Sequence, residues 1–162
     1  MIDESVSRRS VVRAAAWSLP VLAVAIAAPA ASATDVDLGA FAIYGSCGVL
    51  FVSGPGFLLT AGPDAPLPVG TTITIMGSGV ANIGVFSVSG GSASVSSPTT
   101  TSRLITLTAE LPASAVMALR TTLSVMASFT LNASVGIPDG YIATAAKTSG
   151  VVDSGATLCS AS

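Results

Sequence analysis

Few side chains in this sequence are able to do chemistry, and their types restrict it before any fold is considered. The 162 residues contain no histidine, which removes the commonest general base, the commonest metal ligand and every Ser-His or Cys-His pairing. A Ser-Lys dyad would have to use Lys147, the only lysine. A lone lysine in a strand pattern reads first as a solvated charge or a guard on a sheet edge. A carboxylate pair for glycoside cleavage would be drawn from Glu110, Asp139 and Asp153. The turn Pro138-Asp139-Gly140 accounts for Asp139, and the other two read as exposed charges at strand ends. No catalytic residue is assigned.

Ligand-holding patterns fare similarly. Asp35-Val36-Asp37 would project two carboxylates to one side of an extended arm, but calcium takes about six or more oxygens and no loop with closely spaced acids completes the set. No metal site follows. Gly77-Ser78-Gly79 with Gly84 has the look of a phosphate loop, yet Val85-Phe86-Ser87-Val88 opens a strand, leaving no helix N-terminus to receive a pyrophosphate. No cofactor is expected. Asn132-Ala133-Ser134 fits the formal pattern of a glycosylation acceptor and is treated as a chance match.

Cys47 and Cys159 are the only cysteines. In an exported chain an even count favours a disulfide, here one that staples the two ends of the domain, against two free thiols or a bridge between chains.

The segments that must position these residues read as strands. Short runs rich in Val, Ile, Thr and Phe recur between Gly, Pro, Ser and Asp. They predict eight to ten strands: 36–44, 48–53, 56–61, 71–76, 83–89, 93–97, 103–110, 121–133, 141–148 and 156–159. Period-two alternation puts Ile73 and Ile75 on one face, and Ile105 with Leu107 on another. Residues 114–120 suit either two helical turns or a strand, with the strand preferred. Turn signals about every ten residues without strand-helix alternation predict an all-β chain. The expected fold is an antiparallel two-sheet β-sandwich of immunoglobulin-like, Greek-key architecture. Ile137-Pro138-Asp139-Gly140-Tyr141 fits a tyrosine corner.

Ahead of this domain, Ser7-Arg8-Arg9-Ser10-Val11-Val12-Arg13 leads into an apolar stretch that closes on Ala31-Ser32-Ala33. Arg8 and Arg9 read as a twin-arginine export signal, and the small side chains of Ala31 and Ala33 as a cleavage site that leaves Thr34 as the new N-terminus. The apolar run is about 15 residues, broken by Pro20, against the roughly 20 a spanning helix needs. The expected division is therefore a signal peptide over 1–33 and one secreted domain over 34–162, with no membrane attachment after cleavage.

The domain carries Arg103, Arg120 and Lys147 against Asp35, Asp37, Asp64, Glu110, Asp139 and Asp153, so three positive and six negative charges give a net of −3. No basic patch exists to hold nucleic acid or anionic lipid. The stretch from Arg8 to Val21, with Ala23-Val24-Ala25 and Ala28-Pro29-Ala30, resembles the leaders of small exported β-sandwich surface proteins of high-GC Gram-positive bacteria. That resemblance implies an export route and a surface location. The expected role is structural, adhesive or binding, with self-association or cell-wall contact through strand edges. A secreted hydrolase using carboxylates or a Ser-Lys pair, and a carbohydrate-binding module, are the alternatives.

Overall fold

Alternating apolar and hydroxyl residues build this fold. The computed structural model describes residues 34–49, 52–124, 126–155 and 158–162, within one compact unit, Thr34–Ser162. The leader reading, with Arg8, Arg9, Ala31 and Ala33, lies outside the described residues. Among those described there are twelve strands and no helix.

Six strands form one antiparallel sheet, in the order β12 (Cys159–Ala161), β11 (Ser149–Ser154), β9 (Phe129–Gly136), β4 (Thr72–Ser78), β7 (Ser102–Leu107) and β6 (Ala93–Thr99). Four form a second, in the order β2 (Ala42–Ser46), β3 (Gly56–Thr60), β8 (Val116–Thr121) and β5 (Phe86–Ser89). The pattern of alternation decides what each sheet buries. In β4, Ile73 and Ile75 point inward and are fully buried, while Thr72 and Thr74 are half-buried and Met76 is exposed. Phe57 and Leu59 of β3, Met117 and Leu119 of β8, Ile105 and Leu107 of β7 and Leu131 of β9 meet Ile73 and Ile75 in a single cluster. Each such side chain contributes about 1.5–3 kcal/mol by leaving water. Two antiparallel sheets sharing one core are the arrangement expected of a β-sandwich.

Several expectations are corrected. The run 36–44 is not one strand: β1 (Val36–Asp37) ends and β2 begins only at Ala42. Gly39 adopts φ +67°, and the Asp37 carboxylate accepts its N–H at 2.9 Å, a local turn that competes with the ladder. β1 pairs in parallel with β10 (Tyr141–Ile142), so a small third sheet departs from the all-antiparallel expectation. Residues 141–148 do not continue as a strand because Ala145 turns at φ +60°. Around 48–53, Val49 and Ser53 pair with each other across a reversal, and residues 50 and 51 lie outside the described set. The long run 121–133 divides: β8 ends at Thr121 and β9 starts at Phe129. Residues 116–121 are a strand, which resolves the helix-or-strand ambiguity. β11 went unforeseen, because Ser149-Gly150 at its start and Asp153-Ser154 at its end resemble turn chemistry. The tyrosine corner is not made: Tyr141 opens β10, and no hydrogen bond from its hydroxyl is found among the described residues.

Cys47 and Cys159 are joined, with Cα atoms 5.9 Å apart and a sequence separation of 112. Cys47 follows β2 and Cys159 begins β12, so the bridge ties one sheet to the other. On this same side the backbones of β2 and β11 nearly touch. A Cβ on Gly45 would lie 2.0 Å from the Val151 carbonyl oxygen, and the Gly45 N–H donates to the Ser162 carbonyl at 2.9 Å. Only glycine permits that approach. One side of the sandwich is thereby closed.

Candidate interaction surfaces

The three cations of 34–162 are all engaged by the fold. Arg103 sits at an inward position of β7 and is 6% exposed. Its Nε and one terminal nitrogen donate to the Gly84 carbonyl at 3.1 and 2.5 Å, and that nitrogen also reaches Asn82 Oδ1 at 3.1 Å. The other terminal nitrogen donates to the Ser102, Thr99 and Thr100 carbonyls at 2.7, 2.8 and 3.3 Å. A buried guanidinium must be hydrogen-bonded throughout, and here loop carbonyls do it. Arg120 on the outer face of β8 donates to Ser46 Oγ at 2.8 Å and to the Gly54 carbonyl at 3.4 Å. Lys147, the one candidate for a Ser-Lys dyad, donates to the Ile43 carbonyl at 3.3 Å. Its Nζ lies 4.2 Å from the centre of the Tyr44 ring, a cation-π contact. No serine hydroxyl among the described residues bonds to it.

The carboxylates are dispersed. Asp37 accepts from the Thr144 hydroxyl at 2.6 Å, the Thr144 N–H at 3.0 Å and the Gly39 N–H. These bonds, that of the Thr144 side chain foremost, hold its carboxyl below the ordinary value. The Asp35-Val36-Asp37 pair therefore has one member already committed to the fold. Glu110 and Asp139 are exposed in loops at one end of the sandwich, while Asp153 lies towards the other end on β11 and accepts from Thr130 Oγ1 at 3.4 Å. The structure does not bring these three together. Among the described residues no three His, Cys, Asp or Glu side chains are grouped to hold a metal ion. Gly77 and Ser78 finish β4, and Gly84 gives its carbonyl to Arg103, so the glycine pattern forms a strand end rather than a phosphate loop. Asn132 is exposed on β9. An open hollow of about 100 Å³ beside Asp153, lined by Val151, Ser160, Ala161 and Ser162, is small against the ~300–1,000 Å³ of ordinary ligand sites.

What remains accessible is sheet edge. On the closed side, β2 is flanked by Lys147, whose carbonyl accepts from Ile43 and whose N–H donates to Phe41, both at 2.9 Å. The opposite side is formed by β5 and β6. Thr122 donates to the Val85 carbonyl, and Thr121 donates away from β5 to the Pro55 carbonyl. By alternation, the N–H and C=O of Phe86 and Val88 face off the sheet. Likewise Thr108 donates to Ser92, which turns the backbone groups of Ala93 and Val95 outward on β6. That edge is blunted further along by Pro98 and by a register break between Ser96 and Thr99, devices that limit uncontrolled pairing.

The inward placement of Arg103 was within reach of the sequence. Period two, anchored on Ile105 and Leu107, places Arg103 on the inward face, a signal that the charge tally passed over. Compared with known protein families, with characterised proteins and with solved structures, the chain matches none.

Proposed function

We propose that this is an exported, cell-envelope-associated immunoglobulin-like β-sandwich that works by contact, in a structural, adhesive or binding role, and not by catalysis. The observation that carries the reading is the asymmetry of the two sides. One is sealed by the Gly45 approach and the Cys47–Cys159 bridge. The other offers β5 and the first half of β6, whose outward backbone groups suit an added strand from a partner or a second copy. The twin-arginine leader and the disulfide support an oxidising destination. Chain crossings between the sheets at β3–β4, β4–β5, β5–β6, β7–β8 and β8–β9 support a Greek-key relation.

Proline separates edge contact from fold. At Val88 and Val95 the N–H faces outward, so Val88→Pro and Val95→Pro leave the ladder bonds in place and block strand addition. Binding of cells or isolated walls by the purified protein is expected to fall severalfold in these variants with the circular dichroism spectrum retained. Undiminished binding in both would remove the edge mechanism.

A further inference from the structure

The register of the four-stranded sheet fixes what stands on its outer face. Tyr44, Leu58 and Ala118 form one row, and Ser46, Gly56 and Arg120 form the next. Ser89 and Ser87, both exposed, end these two rows on β5. Lys147 joins the face from the edge: it pairs with Ala42, and its Nζ lies 4.2 Å from the centre of the Tyr44 ring. Tyr44, at 48%, is the one exposed aromatic side chain among the described residues. Of the three cations of the domain, Arg103 is buried, and the two that are not, Arg120 and Lys147, both stand here. The side-chain carboxylates lie elsewhere, for β2, β3, β5 and β8 contain no Asp or Glu.

From this coincidence we infer that the face binds an acidic polysaccharide, a chain of sugar rings bearing carboxylates, with a ring against Tyr44 and its carboxylate paired to Lys147 or Arg120. Both cations are pinned by the fold and still have hydrogens to give. Arg120 reaches towards Ser46 over Gly56, which has no side chain to obstruct it, and its bonds to Ser46 and Gly54 all use one terminal nitrogen. Its Nε and other terminal nitrogen suit a bidentate carboxylate. Lys147 gives one hydrogen to the Ile43 carbonyl, of the three that an ammonium carries. Asp37, on the strand that precedes β2, is already bonded to Thr144 and Gly39. Ser162, beside Gly45, has its oxygen taken by the Gly45 and Val151 N–H groups. The sheet face also selects the class of partner. β3 and β8 are interior strands, paired on both sides, so a peptide finds no ladder to extend here. Recognition must run through side chains, and an aromatic ring, two cations and the Ser87 and Ser89 hydroxyls match a charged, polyhydroxylated ring polymer. Nucleic acid and anionic lipid are held by larger basic clusters than this pair.

Isothermal titration calorimetry of the purified protein with polygalacturonate tests this. Two reference polymers separate the parts: methyl-esterified polygalacturonate keeps the rings without the charge, and polyglutamate keeps the charge without the rings. Polygalacturonate is expected to bind, less tightly as salt is added, with both reference polymers weaker by roughly tenfold or more. Tyr44→Ala and Lys147→Gln are each expected to lower the affinity severalfold, and Lys147→Arg to restore most of it. Tyr44→Ala removes an exposed ring and keeps the test open should Lys147→Gln melt early. Val95→Pro, on the edge of the other sheet, is expected to bind polygalacturonate as the wild type does, which keeps this face separable from edge contact. Absence of binding, equal binding of the esterified polymer, an unchanged affinity in Tyr44→Ala, or a loss in Val95→Pro as large as in Tyr44→Ala would overturn the inference. So would equal binding of polyglutamate, which would make the partner an acidic polypeptide.

Discussion

Arg103 shows how a charge becomes a structural part. Its guanidinium gathers the Gly84, Thr99, Thr100 and Ser102 carbonyls at one end of the core, so truncation would strand several acceptors in a buried place. Arg103→Ala is expected to cost about 3–5 kcal/mol, read as a lower denaturant midpoint with an unchanged slope. Arg103→Lys should recover only part of it, because an ammonium lacks the planar fork that spans these carbonyls. Asp37 gives a pH dependence. Its carboxyl is held below the ordinary value by Thr144 and Gly39. Its contribution is therefore present above the ordinary carboxylate pKa and is lost as pH falls through the lower folded value. The stability gap between wild type and Asp37→Ala should be constant near neutrality and close in acid. A gap that persists unchanged at the lowest pH would show that the carboxylate charge is not what matters.

Among the elements, legibility followed local chemistry. Strands with clean alternation, such as β4 and β7, could be read from Ile73, Ile75, Ile105 and Leu107, because period two and burial agree there. The breaks were harder to see. Nothing in the run 36–44 announces that Gly39 will turn left-handed under the Asp37 carboxylate, and nothing local separates β8 from β9, since tertiary pairing sets both ends. β11 was hidden because Gly150 removes one side chain from the alternation, for a reason visible only in three dimensions: Gly150 and Gly45 lie where two sheets cross. Gly45→Ala tests that crossing. A methyl group placed 2.0 Å from the Val151 carbonyl oxygen must push β2 and β11 apart, at an expected cost of about 1–3 kcal/mol, measured by thermal or chemical unfolding. A neutral substitution would mean that the backbones are not in contact. As for the candidate surface, the sequence pointed to strand edges in general, but which edges are open depended on pairing partners far away in the chain.

At the scale of the whole molecule, a low-charge sandwich is closed on one side by a bridge and a backbone contact, and open on the other. The bridge has a sequence separation of 112, and in the chain-entropy picture its reduction should cost up to about 4–5 kcal/mol, seen as a lower unfolding midpoint in reducing agent. The central proposal is that this protein is exported, carries the Cys47–Cys159 bridge and acts outside the cytoplasm by contact. The most direct measurement is the intact mass of the protein from fractionated cells, taken with and without reduction. The account predicts a chain beginning at Thr34, in the envelope or the medium, that gains two hydrogens on reduction as Cys47 and Cys159 separate. A full-length cytosolic chain with both thiols already reduced would contradict it.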